Sequence, residues 1–224
     1  MRTAGISAML RAEVDEIWAA QHAHPFVRGI GDGSLDPARF ACWLRQDYRF
    51  LIDYARLFGA GILRAPTLEM MTAFAAIGHE ILATEMDLHR TYCAEFGISV
   101  AEMESEPRAP TTEGYTNLLL RVAATGDFAE LLGALLPCMW GFHEIATWLA
   151  AQGMPDEPRY RAWIEMYAGA EFGVLAQWCI DLLDDACTGL PRPALDRVCE
   201  AFLTSSRYEL AFWEMAWSME TWPV

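Results

Sequence analysis

Read at alternating steps of four and three residues, the sequence yields stripes of the kind that one face of an α-helix buries. From Phe40 the stripe is Phe40, Leu44, Asp47, Leu51, Tyr54, Phe58. From Leu131 it is Leu131, Leu135, Cys138, Phe142, Ile145, Leu149, and from Val198 it is Val198, Phe202, Ser205, Glu209, Phe212, Ala216. The apolar–polar alternation of a half-buried strand is nearly absent. The spacing therefore predicts an all-α protein of about seven to nine helices. A chain of 224 residues can bury roughly 70% of its unfolded surface as one domain. Residues 1–224 are accordingly expected to form a single helical bundle.

Each stripe carries a polar residue where a core residue belongs. A lone buried carboxylate costs several kcal/mol unless it is paired or hydrogen-bonded. Asp47 and Glu209, with an inward thiol at Cys138, thus point to a polar pocket inside the bundle. The plainer alternative is that each acid bonds a Tyr, Trp or Arg and only ties helices together. Cys138 alone reads as ordinary core, since free cysteine is usually buried. Its neighbour Pro137 argues otherwise: an interior proline costs about 3 kcal/mol and leaves the Gly133 carbonyl without its helical donor. Tyr115, Tyr167, Phe50 and Trp140 sit among apolar neighbours, where an aromatic side chain is more often core than ligand contact. Glu85 and His89, four apart, fit either a surface pair or the start of an iron site.

Punctuation between the periodic segments is clear. Asp36-Pro37 reads as the cap and first residue of one helix, and Thr67 as the cap of the next. Residues 97–110 (GISVAEMESEPRAP) form the longest expected linker, and residues 153–158 and 188–193 break two later helices. "GIGDGS" at 29–34 lacks the spacing of a dinucleotide-binding loop and follows no strand, so it reads as a turn. "HEILA" at 79 and "HEIAT" at 143 have Ala83 and Thr147 where a zinc protease motif needs its second histidine.

Charge and composition narrow the function. Net charge is −15 and all 16 basic residues are Arg. Without lysine, a pyridoxal phosphate Schiff base and a phosphate-loop lysine are both impossible. The acidity opposes nucleic-acid binding, where phosphate neutralisation supplies most of the affinity. No apolar run reaches the roughly 18 residues that span a bilayer, and acidic residues enter the first segment before a signal-peptide core could form. A cytoplasmic protein is expected. The six cysteines form no CxxC pair, so free thiols are expected and a zinc cage is not.

Four stretches, "HPFVRGIGDGSL" (24–35), "RQDYRFLIDYARLF" (45–58), "LLPCMWGFHEI" (135–145) and "SSRYELAFWEMAW" (205–217), together resemble the TenA/THI-4 family, known as thiaminase II or aminopyrimidine aminohydrolase. The resemblance implies a fold like that of haem oxygenase, with a central pocket, no haem and no other cofactor or metal. It implies a homotetramer acting on a small-molecule substrate, an aminopyrimidine or a thiamin-related compound. The implied reaction cleaves the C–N bond at the exocyclic methylene of 4-amino-5-aminomethyl-2-methylpyrimidine, or of thiamin, to give hydroxymethylpyrimidine. By resemblance Cys138 is the catalytic cysteine, Glu209 the catalytic glutamate and Asp47 the pyrimidine-binding aspartate. Tyr115, Tyr167 and Phe212 match pocket aromatics, while Phe50 and Phe142 stand where other members carry tyrosine.

Two rival functions follow from the same residues. An oxidase on this fold would build on Glu85, His89 and Glu144, but no histidine follows His143 to complete an iron site. A pyrimidine-binding regulator without turnover would need no DNA contact of its own, and no helix-turn-helix signature is present.

Overall fold

A computed structural model describes residues 5–223, and among them the backbone is helical with no strand. In chain order the helices are α1 (Ile6–Glu13), α2 (Asp15–Ala23), α3 (Pro25–Asp32), α4 (Pro37–Arg64) and α5 (Leu68–Glu80). A π-helical turn, Ile81–Glu85, leads into α6 (Met86–Glu95), α7 (Val100–Ser105) and α8 (Pro110–Thr125). The chain continues through α9 (Phe128–Gln152), α10 (Pro158–Ala168), α11 (Ala170–Ala186) and α12 (Arg192–Ser218). No helix among the described residues is long and apolar enough to cross a membrane.

The expected breaks fall where the punctuation put them. Helix α4 starts at Pro37, the Thr67 hydroxyl accepts the Met70 N–H at 3.2 Å, and the gaps before α10 and α12 lie at 153–157 and 187–191, within a residue or two of the expected breaks. The stretch at 29–34, expected to be a turn, is instead helical as far as Asp32 and forms the end of α3, closed by Gly33 in the left-handed region at φ 79°, which glycine adopts without steric cost. The described residues hold twelve α-helices, more than the seven to nine expected, and two of the added boundaries illustrate why. Val14, at φ −100° and ψ 12°, divides the first segment into α1 and α2. The stretch expected to be linker contains α7, held by a reciprocal cap. Ser99 Oγ accepts the Glu102 N–H at 3.3 Å, and the Glu102 carboxylate accepts the Ser99 N–H at 2.7 Å.

The chain comprises two compact units, one of Met1–Asp36 with Leu132–Glu214 and one of Pro37–Leu131 with Met215–Val224. In the first unit the core is built on Trp18, Phe26, Phe202 and Trp213, all essentially inaccessible. Its large indoles keep their polar edges satisfied: Trp18 Nε1 donates to Ser206 Oγ at 3.3 Å and Trp213 Nε1 to Gln21 Oε1 at 3.1 Å. The Tyr160 hydroxyl ties α10 to the chain before α4 by donating to the Leu35 carbonyl at 2.7 Å.

In the second unit α4 is the central element and packs on α5, α6 and α8. Its stripe from Phe40 to Phe58 is buried throughout, Asp47 included. The chain between α7 and α8 is pinned to α4 by buried polar groups. The Gln46 amide donates to the Pro107 carbonyl and accepts the Ala109 N–H, each at 2.9 Å. Asp53, also buried, pairs with Arg108 at 2.6 Å and with Arg56.

Candidate active site

The catalytic thiol expected from the sequence lies on α9, which runs through Pro137 as one helix. Having no N–H, Pro137 cannot donate to the Gly133 carbonyl. The backbone of α9 is steadied here from α12 instead, where Ser205 Oγ donates to the neighbouring Ala134 carbonyl at 2.8 Å. Close approach depends on the glycine: a Cβ at Gly133 would lie 2.9 Å from the Val198 carbonyl oxygen and 3.1 Å from Val198 Cγ1.

These contacts fix a register. Ala134 meets Ser205, and eight residues further along both helices the Phe142 and Trp213 rings meet, with centroids 5.3 Å apart. The two helices therefore run in the same direction over this stretch. Cys138 and Glu209 each fall four residues after the first contact and four before the second, so they occupy the same level on the two facing stripes. Glu209 is 3% exposed, whereas Cys138 is the one member of the α9 stripe that is not fully buried. A half-buried thiol level with a buried carboxylate offers one group that is partly accessible and one that works away from water.

The remaining first-unit candidates lie in an aromatic cluster that starts one turn further along the two helices. Phe142 packs against Tyr167 (5.0 Å between centroids) and Trp163 (5.8 Å), and Phe212 is buried one turn beyond Glu209. Tyr167 is held in place through its backbone, because its carbonyl lies 2.8 Å from Nδ1 of His143. His143 is thus a positioning element of α9 rather than half of a metal motif. Trp163 and Trp213 complete this cluster without having been singled out by the sequence, where each is one more apolar position.

In the second unit the structure brings Asp47, Phe50 and Tyr115 together. Phe50 lies one turn after Asp47 on α4, its ring 4.9 Å from that of Tyr115 on α8 and 5.2 Å from that of Tyr54. Asp47 has an unexpected partner: Oδ2 lies 2.7 Å from Nε2 of His89, which is itself buried. The other ring nitrogen, Nδ1, lies 2.9 Å from the Glu85 carbonyl oxygen. Burial opposes a charge on this ring, but the hydrogen bond and charge of Asp47, helped by the charge of Glu85, outweigh it and raise the His89 pKa.

The sequence left Glu85 and His89 open between a surface pair and an iron site, and His89 is neither. The π turn explains why. Buried positions through this region are Phe74, Ile77, Ile81, Met86, His89 and Cys93, so one step of five interrupts steps of three and four. The wide turn adds a residue and rotates the rest of the segment, and His89 comes inward. Glu144, the other residue of the imagined iron site, is bound by Arg11 through two hydrogen bonds of 2.7 and 3.2 Å. Among the described residues no three His, Cys, Asp or Glu side chains are arranged to hold a metal ion.

The TENA/THI-4/PQQC family model matches residues 11–219. The chain belongs to this family. It is 43% identical to the aminopyrimidine aminohydrolase of Halalkalibacterium halodurans over 96% of its own length and 97% of that protein's. Among solved structures, the TenA homologue from P. horikoshii OT3 superposes with a TM-score of 0.88 at 26% identity, covering 96% of this chain and 99% of that one. A domain of unknown function with a haem-oxygenase-like fold, from Shewanella denitrificans, superposes with a TM-score of 0.72 at 16% identity, over 95% of this chain and 92% of that one. That last likeness concerns the fold alone, and it agrees with the all-helical, haem-oxygenase-like architecture that the resemblance implied.

Proposed function

We propose that this chain is an aminopyrimidine aminohydrolase of thiaminase II type. It hydrolyses 4-amino-5-aminomethyl-2-methylpyrimidine to hydroxymethylpyrimidine and ammonia, taking up one water. The observation that carries this reading is the register that sets the half-buried Cys138 level with the buried Glu209. It is supported by the 43% identity to an enzyme of that name over nearly the full chain.

In this reading Cys138 adds through sulfur to the pyrimidine ring while a ring nitrogen takes a proton from Glu209. The thiol proton passes to the amine, and the ring's added electron density expels it from the exocyclic methylene as ammonia, breaking the C–N bond; the water that adds next returns a proton to the sulfur. Water then adds to the methylene, the nitrogen proton returns to Glu209, and the C–S bond breaks to regenerate the thiol. Asp47 accepts a hydrogen bond from the 4-amino group and orients the ring. Aromatic faces suit both the planar pyrimidine and a protonated aminomethyl group.

The test is direct. Purified protein incubated with the aminomethylpyrimidine should release ammonia and hydroxymethylpyrimidine in equal amounts, and no release at any pH between 6 and 9 would sink the assignment. On the same reading the enzyme works in the cytoplasm as a homotetramer, for which exposed Leu63, Leu68 and Val174 offer apolar contacts. Light scattering should give a mass near four chains of 25.1 kDa, and a single-chain mass would refute the assembly.

A further inference from the structure

We propose that His89 is a positioning residue of the substrate site, present as an imidazolium that clamps Oδ2 of Asp47 and holds this carboxylate aimed as a hydrogen-bond acceptor. The proposal rests on the reading of Asp47 as the pyrimidine anchor. It follows from which atoms meet. The Glu85 carbonyl can only accept, so Nδ1 of His89, 2.9 Å away, must carry a proton. Nε2, 2.7 Å from Asp47 Oδ2, then shares one further proton with the carboxylate. An ordinary histidine, near 6.5, outcompetes an ordinary aspartate, near 3.9, for that proton. The pair is therefore an imidazolium and a carboxylate rather than two neutral groups.

The surroundings fit this state. Both side chains are buried, and the charged groups acting on the ring are Asp47 from α4 and Glu85 from the π turn, both acidic. The Trp43 ring, with centroids 5.7 Å from the imidazole, covers it without offering an acceptor. Among the described residues His89 is the one group hydrogen-bonded to the Asp47 carboxylate, so Oδ1 is left to a ligand donor such as a 4-amino group. Without an N–H donor at this place, Asp47 would be a buried carboxylate with no hydrogen bond to a side chain among the described residues, a costly state. Nothing would then hold its oxygens aimed where the amino group needs an acceptor. The π turn matters because it rotates His89 into this place.

The sign of the pH effect follows. A histidine whose folded pKa is raised above its ordinary value keeps its proton below about 6.5 and loses it only as pH climbs through the raised value. Above that point Nε2 turns a lone pair toward the carboxylate, and the clamp opens. Ligand affinity that depends on the clamp should therefore fall on the alkaline side in the wild-type protein.

Two measurements decide the matter. Nitrogen-15 spectra of histidine-labelled protein at pH 7, with the His89 signals assigned by their loss in His89→Gln, should show both ring nitrogens protonated. A neutral ring at that pH overturns the proposal without reference to any ligand. The second is the dissociation constant of hydroxymethylpyrimidine against pH. His89→Gln supplies a neutral amide donor at the place of Nε2, so it should bind within a fewfold of wild type and lose the alkaline fall. His89→Leu, which offers no donor, should bind roughly tenfold or more weakly at pH 7. If the leucine variant does not fold, the glutamine variant and the spectra still decide. If both variants bind with the wild-type pH profile while Asp47→Asn loses binding, the clamp is wrong and the anchor stands. If Asp47→Asn also binds normally, the anchor reading falls and takes the clamp with it.

Discussion

Replacing Cys138 with serine is expected to lower turnover of the aminomethylpyrimidine by roughly 10³ or more while the melting temperature stays within a few degrees of wild type. The substitution keeps nearly the same volume at a half-buried position and leaves Pro137, Gly133 and the Ser205 bond in place. What changes is the nucleophile. A thiol is a few per cent ionised at neutral pH, whereas an alcohol is not measurably so, and sulfur adds to an electron-poor ring far more readily than oxygen. Four of the five other cysteines are poorly placed to stand in. Burial pushes Cys42 and Cys93 up to about 11 and Cys179 up to about 12, and burial with nearby acids also raises Cys199. These thiols are inert at neutral pH. A well-folded serine variant that keeps more than about a tenth of wild-type turnover, a loss under about 1.4 kcal/mol of barrier, would return Cys138 to the core.

The stripes that predicted helices were legible because a helix must bury one face, and burial is written into spacing. All of Phe40 to Phe58 and Val198 to Ala216 at that spacing are buried, with Asp47 and Glu209 among them. What spacing could not supply was the contact between stripes. That Cys138 and Glu209 share a level depends on how α9 and α12 slide against one another. Gly133 sets this by admitting Val198, and Ser205 sets it by bonding Ala134. His89 stayed hidden for a different reason. A regular 3.6-residue period carried on past Ile81 points to positions 84, 85 and 88, and only the five-residue step across Ile81–Glu85 brings Met86, His89 and Cys93 to the buried side. Helix α7 had left a signal, the Ser99 and Glu102 spacing of a capping box, and the Gly and Pro residues around it drowned that signal out.

The two buried carboxylates should separate cleanly when each is turned into its amide. Glu209→Gln keeps the size of the side chain and its ability to hydrogen-bond a ring nitrogen, but an amide cannot give up and recover a proton. Turnover should fall by roughly 10²–10⁴, the range that general acid–base groups contribute. Binding of hydroxymethylpyrimidine should weaken less than about tenfold, because recognition of the ring does not need proton transfer. Asp47→Asn should behave in the opposite sense. Its amide can turn an N–H₂ toward the 4-amino group, two donors facing each other, and it cannot neutralise the His89 beside it. Affinity should fall by at least the cost of one buried hydrogen bond, roughly tenfold, and the turnover loss should largely follow from misplacement of the ring. Calorimetric binding and steady-state turnover measured on the same two variants check this. If Glu209→Gln loses affinity as severely as Asp47→Asn while keeping its turnover number, then Glu209 is a recognition group, and the proton must move through another residue.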